Sequence, residues 1–267
     1  MTTPDALSSL AAEPHRTGLF LDFDGTLSEI VHIPSAARPV AGVPELLARL
    51  ARVFKVVAIV SGRAAGQLAE WLGPETEIWG VHGAESAVGG TVTPSEWAKP
   101  FLELMRRVLQ EAEDGLAALG AEGALLEDKG VIINLHFRAA TDPVAAEAAL
   151  ERLAHHLADR HGLSVAKGRM SYELRPPVDF SKAAVVLDRA RAEGLHAVAF
   201  VGDDRVDLPG FDALDQLAEE GVATTCRVAV RSREAPEELL SRADIVLEGP
   251  TGAVAWLDGL LERTRRG

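Results

Sequence analysis

The stretch Gly18-Leu19-Phe20-Leu21-Asp22-Phe23-Asp24-Gly25-Thr26-Leu27 ends an apolar run on two carboxylates spaced two residues apart. Leu19, Phe20 and Leu21 are apolar at successive positions, so a strand there needs cover on both faces, as a buried parallel strand does. Residues i and i+2 of a strand point to the same side, so Asp22 and Asp24 can reach one site as Gly25-Thr26 begins a turn. Taken alone, the pair reads equally as an acidic strand end whose Asp24-Gly25 supplies turn chemistry.

Further along the chain, FLDF, KVVAIV, TEIWGV, AVAFVG, RVAV and ADIVL have the same short, Val/Ile/Phe-rich character. Between them, VPELLARLARV, AAGQLAEWLG and FSKAAVVLDRARAEG carry apolar residues at helical spacing. Apolar strands alternating with helices predict an α/β fold with a doubly wound parallel-sheet core, whose ligands sit beyond the carboxyl ends of the strands.

The middle of the chain has a different pattern. The helix-like SEWAKPFLELMRRVLQEAEDGLAAL precedes ALLEDKGVIINLHFR, two strands around a Lys129-Gly130 turn. A second helix, TDPVAAEAALERLAHHLADRHG, precedes LSVAKGRMSYELR, a strand pair turning at Lys167-Gly168. The order αββαββ predicts a small α+β module inserted into the larger domain, with Pro176-Pro177 marking the return. The expected domains are a core of 1–97 and 177–267 and an inserted cap of 98–176. In the module, Asn134, His136 and Arg138 alternate with Ile133, Leu135 and Phe137, and Arg169, Ser171, Glu173 and Arg175 with Met170, Tyr172 and Leu174. Such strands present one apolar and one polar face. The polar face serves equally as a solvated side or as a hydrogen-bonding floor for a polyhydroxylated ligand.

Bulk properties narrow the classes. The chain has 267 residues, 47% of them hydrophobic, enough for a sizeable core. No apolar run reaches the roughly 18 residues of a membrane span. MTTPDALSSLAAEPHRTG lacks the basic start and apolar centre of a secretory signal, so a cytoplasmic location is expected. Cys226 is the only cysteine, which excludes an intramolecular disulfide framework and a cysteine-rich zinc site. A net charge of −13 argues against nucleic acid and anionic membrane as partners. The expected partner is a small molecule, and the expected state a monomer. An anionic ligand would have to be received by local cations.

Three more features fall at matching strand ends. VAIVSGR puts Ser61-Gly62 after a strand, where a hydroxyl and backbone N–H groups can hold a phosphoryl oxygen or simply cap a helix. AVAFVGDDRVD puts Asp203, Asp204 and Asp207 beyond another. That cluster is either a solvated acidic loop or a set of hard oxygen ligands for a divalent cation. Lys182 opens a helix after ELRPPVDFS, as a surface lysine or as a phosphate-neutralising cation.

In this order, DxDGT, Ser-Gly, Lys and GDDxxD resemble the haloacid dehalogenase superfamily of phosphotransferases over nearly the whole chain. The resemblance implies that Asp22 attacks phosphorus to form an aspartyl-phosphate, and that Asp24 protonates the leaving sugar oxygen and then activates water. It implies Ser61 and Gly62 as phosphate-binding groups and Lys182 as a catalytic cation. It also implies Mg²⁺ held by the Asp22 carboxylate, the Asp24 backbone carbonyl and Asp203, with Asp204 and Asp207 in support.

The inserted module narrows the resemblance to the trehalose-6-phosphate phosphatases, which carry an αββαββ (type IIB) cap. Glu127, Lys129 and Arg138 resemble that family's Glu-x-Lys and following Arg. Arg169 and Glu173 resemble its basic residue four before a glutamate, and WGVHGAE its Gly-x-His-Gly-x-Glu segment. These cap residues are the expected sugar-binding set, while His82 reads as a loop or core histidine. Two motifs depart from the family: GDDxTDE reads GDDRVDL, with Val206 and Leu208, and Asp-Lys-Gly reads Ser181-Lys182-Ala183. Metal binding and reaction class should survive both, with the groups behind the ligands altered. Sucrose 6-phosphate or glucosylglycerol phosphate is the alternative substrate, which the cap residues alone decide. A phospho-receiver domain combines similar groups at roughly half this length and without an insertion. A catalytically dead sugar-binding relative would not need Asp22, Asp24, Lys182 and Asp203 together.

Overall fold

Strand β1 (Thr17–Leu21) is buried at all five positions because helices cover both faces of the sheet that contains it. The computed structural model describes residues 3–31, 36–168, 170–178, 180–232 and 235–265. They form two compact units, Met1–Thr93 with Phe180–Gly267, and Pro94–Asp179. The first unit begins with α1 (Thr3–Ala12), β1, α2 (Val43–Ala51), β2 (Val56–Val60), α3 (Ala65–Leu72), β3 (Glu77–Gly80), β4 (Glu85–Val88) and β5 (Thr91–Pro94). The second holds α4 (Leu102–Leu119), β6 (Leu125–Asp128), β7 (Ile133–His136), α5 (Pro143–His161), β8 (Ser164–Gly168) and β9 (Ser171–Arg175). The first then resumes with α6 (Lys182–Ala192), β10 (Ala197–Gly202), α7 (Leu208–Glu219), β11 (Thr224–Arg231), α8 (Glu237–Arg242), β12 (Ile245–Glu248) and α9 (Gly249–Thr264).

The large sheet has the order β12-β11-β10-β1-β2-β3-β4-β5. From β12 to β3 every pairing is parallel, with Phe20 opposite Phe200 and Ala58. Alternate residues of one strand feed two cores. Leu19, Leu21, Val201 and Val228 pack with Leu47, Leu68 and Leu257 from α2, α3 and α9. Phe20, Val198 and Phe200 pack on the opposite face with Val186, Phe211 and Leu214 from α6 and α7. This two-sided burial is why the strands read as continuous apolar runs instead of alternating ones. The sheet is the predicted α/β, doubly wound parallel core, and it adds an antiparallel neighbour to β3 that the sequence reading did not foresee. Strands β4 and β5 have four residues each, partly exposed, and lack an apolar run. Their signal is Gly89-Gly90, both at positive φ (59° and 79°), as a type I′ turn requires.

The second unit has the predicted order αββαββ, with a sheet β6-β7-β9-β8 that is antiparallel throughout. α4 starts only at Leu102, after a 3-10 turn at Lys99–Phe101 that contains Pro100. α5 is capped by Asp142, whose Oδ1 accepts from Ala145 N at 3.0 Å, and ends at Gly162 with φ 66°. Leu135, Tyr172 and Leu174 pack with Val108, Leu150 and Leu157 from the two helices. One local expectation changes. Lys167 and Gly168 belong to β8, so the β8–β9 connection comes two residues later than expected. On the polar face, left open between a solvated side and a hydrogen-bonding floor, Asn134 is 3% exposed and donates to Glu127. Among the described residues, no helix is long and apolar enough to cross a membrane.

Candidate active site

Adjacent strands β1 and β10 end together, and the acids lie just past those ends. Asp22 N donates to Val201 O at 2.8 Å, which carries the pairing one residue beyond β1. The chain then wraps around Phe23 O, which accepts from Thr26, Leu27 and Ser28 N–H groups. Gly25 turns with φ 76°, and a Cβ there would lie 1.9 Å from Asp203 Oδ2. The DxDG turn therefore closes directly against the acid at the end of β10. Gly25→Ala is expected to cost about 2 kcal/mol or more, from the left-handed backbone and the clash together. Urea denaturation with EDTA measures that loss, and titration with a divalent cation should reveal weaker binding by the same variant.

Lys182, the first residue of α6, is buried among these acids. Its Nζ donates to Asp22 Oδ1 at 2.5 Å and to Asp207 Oδ1 at 2.6 Å. Asp207 Oδ2 accepts from the backbone N–H groups of Asp203 (2.9 Å) and Asp204 (3.0 Å). Oxygens of Asp22, Asp203 and Asp207 lie within 4.8 Å of one another, and all three residues are buried. Burial raises the Asp22 carboxyl well above the usual range, and the charge of Lys182 offsets this only in part, with Asp207 and Asp24 adding repulsion. Asp203 is raised for the same reasons, burial first and then the charges of Asp22, Asp207 and Asp204. Burial opposes the charge of Lys182, yet Asp207 and Asp22 outweigh it and raise its pKa. One buried cation thus faces three converging carboxylates. A hard divalent ion fits such a set, because it accepts oxygen ligands and supplies the missing positive charge. Asp204 lines the same cleft as Asp22 and Asp203, outside that triad. Its carboxylate caps the next turn, accepting from Arg205 N at 2.6 Å, and the side chain is exposed.

Ser61 and Gly62 follow β2. Ser61 N donates to Trp79 O, and Ser61 Oγ accepts from Arg63 N at 3.2 Å. Arg63, which the sequence reading did not single out, forks onto Asp24: Nε to Oδ2 at 2.7 Å and Nη2 to Oδ1 at 2.8 Å. Its guanidinium also lies over the rings of Phe23 and Trp71, 5.8 and 5.4 Å from their centroids. Beside this loop, Val81 (φ 49°) and His82 (φ 56°) are consecutive left-handed residues without being glycine. Asp22, Asp24, Ser61, Gly62, His82, Lys182, Asp203 and Asp204 line one cleft of about 260 Å³, with Ile30 and Val206 as apolar neighbours.

The second unit presents its own polar centre. The strand register sets Glu127 opposite Asn134, and Asn134 opposite Glu173, in one cross-strand row. Glu127 Oε2 accepts from His136 Nε2 (3.0 Å) and Asn134 Nδ2 (3.2 Å), with Lys129 Nζ at 3.5 Å. The His136 hydrogen bond first, then Lys129 and Asn134, bring the Glu127 carboxyl down to about 2 against the opposing effect of burial. Glu127 is therefore an ionised acceptor at any physiological pH. Arg138 is exposed just after β7, and Arg169 lies outside the described residues.

The fold is that of the haloacid dehalogenase-like hydrolases. It superposes on such a hydrolase from Bacteroides thetaiotaomicron with TM-score 0.62 at 14% identity, covering 91% of this chain and 98% of that one. The C-terminal domain of Candida albicans trehalose-6-phosphate phosphatase superposes with TM-score 0.73 at 22% identity, covering 97% of each chain. The trehalose-phosphatase family model matches residues 20–244, and the chain belongs to that family. A trehalose-phosphate phosphatase of Mycobacterium marinum is 36% identical over 237 residues, 84% of this chain and 58% of the relative. The chain thus spans about three-fifths of the length of the curated relatives it matches.

Proposed function

We propose that this chain hydrolyses trehalose 6-phosphate to trehalose and phosphate through an aspartyl-phosphate on Asp22. The observation that carries the reading is the buried Asp22–Lys182–Asp207–Asp203 cluster in a cleft also lined by Ser61. The family membership and the name of the mycobacterial relative support the substrate.

The Asp22 carboxylate attacks phosphorus from a position held by Lys182 on one side and by the β1–β10 pairing on the other. As the P–O bond to the sugar breaks, Asp24 serves as the general acid and delivers a proton to the departing oxygen. Asp24, now a carboxylate, takes a proton from water; the hydroxide attacks phosphorus, and the bond to Asp22 breaks to release phosphate. In the structure Arg63 holds the Asp24 carboxylate, so Asp24 must exchange that partner before it carries a proton. Lys182 and the Ser61–Gly62 turn receive the phosphoryl oxygens. Mg²⁺ would be held by Asp22, Asp203 and the Asp24 carbonyl with Asp207 behind them, and would shield the attacking carboxylate from phosphoryl charge. In the second unit, Glu127 accepts from sugar hydroxyls, with Lys129, Arg138, Arg169 and Glu173 completing the proposed sugar contacts.

The test is phosphate release with Mg²⁺ from trehalose 6-phosphate beside sucrose 6-phosphate and glucose 6-phosphate. Selective release from the first is expected. Release from another sugar phosphate alone would keep the chemistry and sink the substrate, and release from none would sink both. Glu127→Gln should raise KM for trehalose 6-phosphate about tenfold or more, as a lost charge-assisted hydrogen bond predicts. The same variant should leave inhibition by orthophosphate unchanged, because the phosphate contacts lie in the other unit.

A further inference from the structure

Segment 79–85 is tied to the Ser61–Ala65 loop at four points. Ser61 N donates to Trp79 O, Val81 N to Arg63 O, His82 N to Ser61 O, each at 2.9 Å, and Ala65 N to Glu85 Oε1 at 2.6 Å. The segment reaches this register only by taking Val81 and His82 through the left-handed region, followed by Gly83 at φ 97°. For valine that backbone is a true outlier, and strain of this kind collects where a side chain has to be aimed. What it aims is the His82 ring. Cε1 and Nε2 of that ring lie 3.0 Å from the point where a Cβ on Gly62 would sit. The polar edge of the imidazole therefore occupies the place a side chain on Gly62 would take, in the cleft lined by Asp22, Ser61 and Lys182.

Resting on the proposed phosphatase reading, we infer that His82 is a further substrate-binding residue, whose ring N–H donates to an oxygen of the phosphoryl group seated on the Ser61–Gly62 turn. The bare Gly62 leaves room for the ring edge, and the strained backbone holds the ring there without a flexible tether.

The inference is tested by titrating orthophosphate into the full chain with saturating Mg²⁺, beside Mg²⁺ titrations without phosphate. His82→Asn keeps a residue that tolerates the left-handed backbone but withdraws the ring. Gly62→Ala keeps the ring and displaces it. Both should weaken orthophosphate about tenfold or more, the value of one hydrogen bond to a charged group, with Mg²⁺ affinity and melting temperature retained. KM for trehalose 6-phosphate should rise by a similar factor. Should His82→Asn fail to fold, His82→Gln and Gly62→Ala carry the same comparison. Orthophosphate affinity within about twofold of wild type in the folded variants overturns the inference, since it falls short of the expected hydrogen-bond loss. So does a wild-type chain that binds no orthophosphate at all. A wild type that binds orthophosphate yet hydrolyses no sugar phosphate defeats the functional reading alone, and the variants' phosphate affinities still decide the role of His82.

Discussion

Asp22→Asn is expected to lower phosphate release by about 10⁴-fold or more, with no phosphoenzyme trapped on acid quench, because the attacking oxygen is gone. The same change should not destabilise the metal-free fold at pH 8. Burial and like charges disfavour ionised Asp22 in the folded chain, and an amide removes that charge while Lys182 keeps Asp207 at 2.6 Å. Activity and stability thus part company at this position, and the two measurements together separate a nucleophile from a structural acid. An Asp22→Asn protein that still turns over within about tenfold of wild type would end the aspartyl-phosphate reading.

Lys182→Met should be the most damaging change to the metal-free fold. It removes a cation with 1% side-chain exposure and leaves Asp22, Asp203 and Asp207 facing one another. Removing one partner of a buried ion pair costs about 3–5 kcal/mol, and urea denaturation at pH 7 in EDTA should recover a loss of that size. At pH 4 the loss should shrink, because Asp22 and Asp203, whose pKa values are raised, bind protons there. Wild type obeys the same linkage. The folded-state pKa values of Asp22 and Asp203 are raised, so their contribution is fully present below the unfolded carboxylate pKa. It is lost as pH rises through the raised folded values. Metal-free protein should therefore melt at lower temperature as pH increases past the carboxylate range. A divalent cation that binds the ionised forms should flatten that slope.

The parallel core was legible because two-sided burial writes itself into consecutive residues such as Leu19-Phe20-Leu21. The acids at strand ends were legible for the same reason: once the strands are placed, their carboxyl ends are known. The partnership of Arg63 with Asp24 was not. It joins residues 39 apart through side-chain rotamers, and the only local signal was a charged residue directly after Ser61-Gly62. Which of Asp204 and Asp207 turns inward beside Asp203 was equally hidden. Asp207 faces Lys182 and Asp204 caps its own turn because a 3-10 turn intervenes, a geometry that acidic spacing does not encode. Alternation in β7 identified the polar face but not how deeply its residues lie, and Asn134 is buried there. His82 reads from the sequence as a loop or core histidine, because nothing in WGVHGAE marks the left-handed backbone it takes.

The pairing of Thr17–Leu21 with Ala197–Val201 also governs when the acid cluster can come into being. β1 finds β2 soon after both are made, but its other edge waits for β10, with the whole second unit between them in the chain. At ribosomal speeds of about 5–20 residues per second, that interval is on the order of 10–40 s. During it the nascent chain carries one open, largely apolar strand edge, the surface most prone to mispairing. Asp22 meets Lys182, Asp203 and Asp207 only when that edge closes. Nascent chains halted before β10 should therefore be the form of this protein most dependent on chaperones.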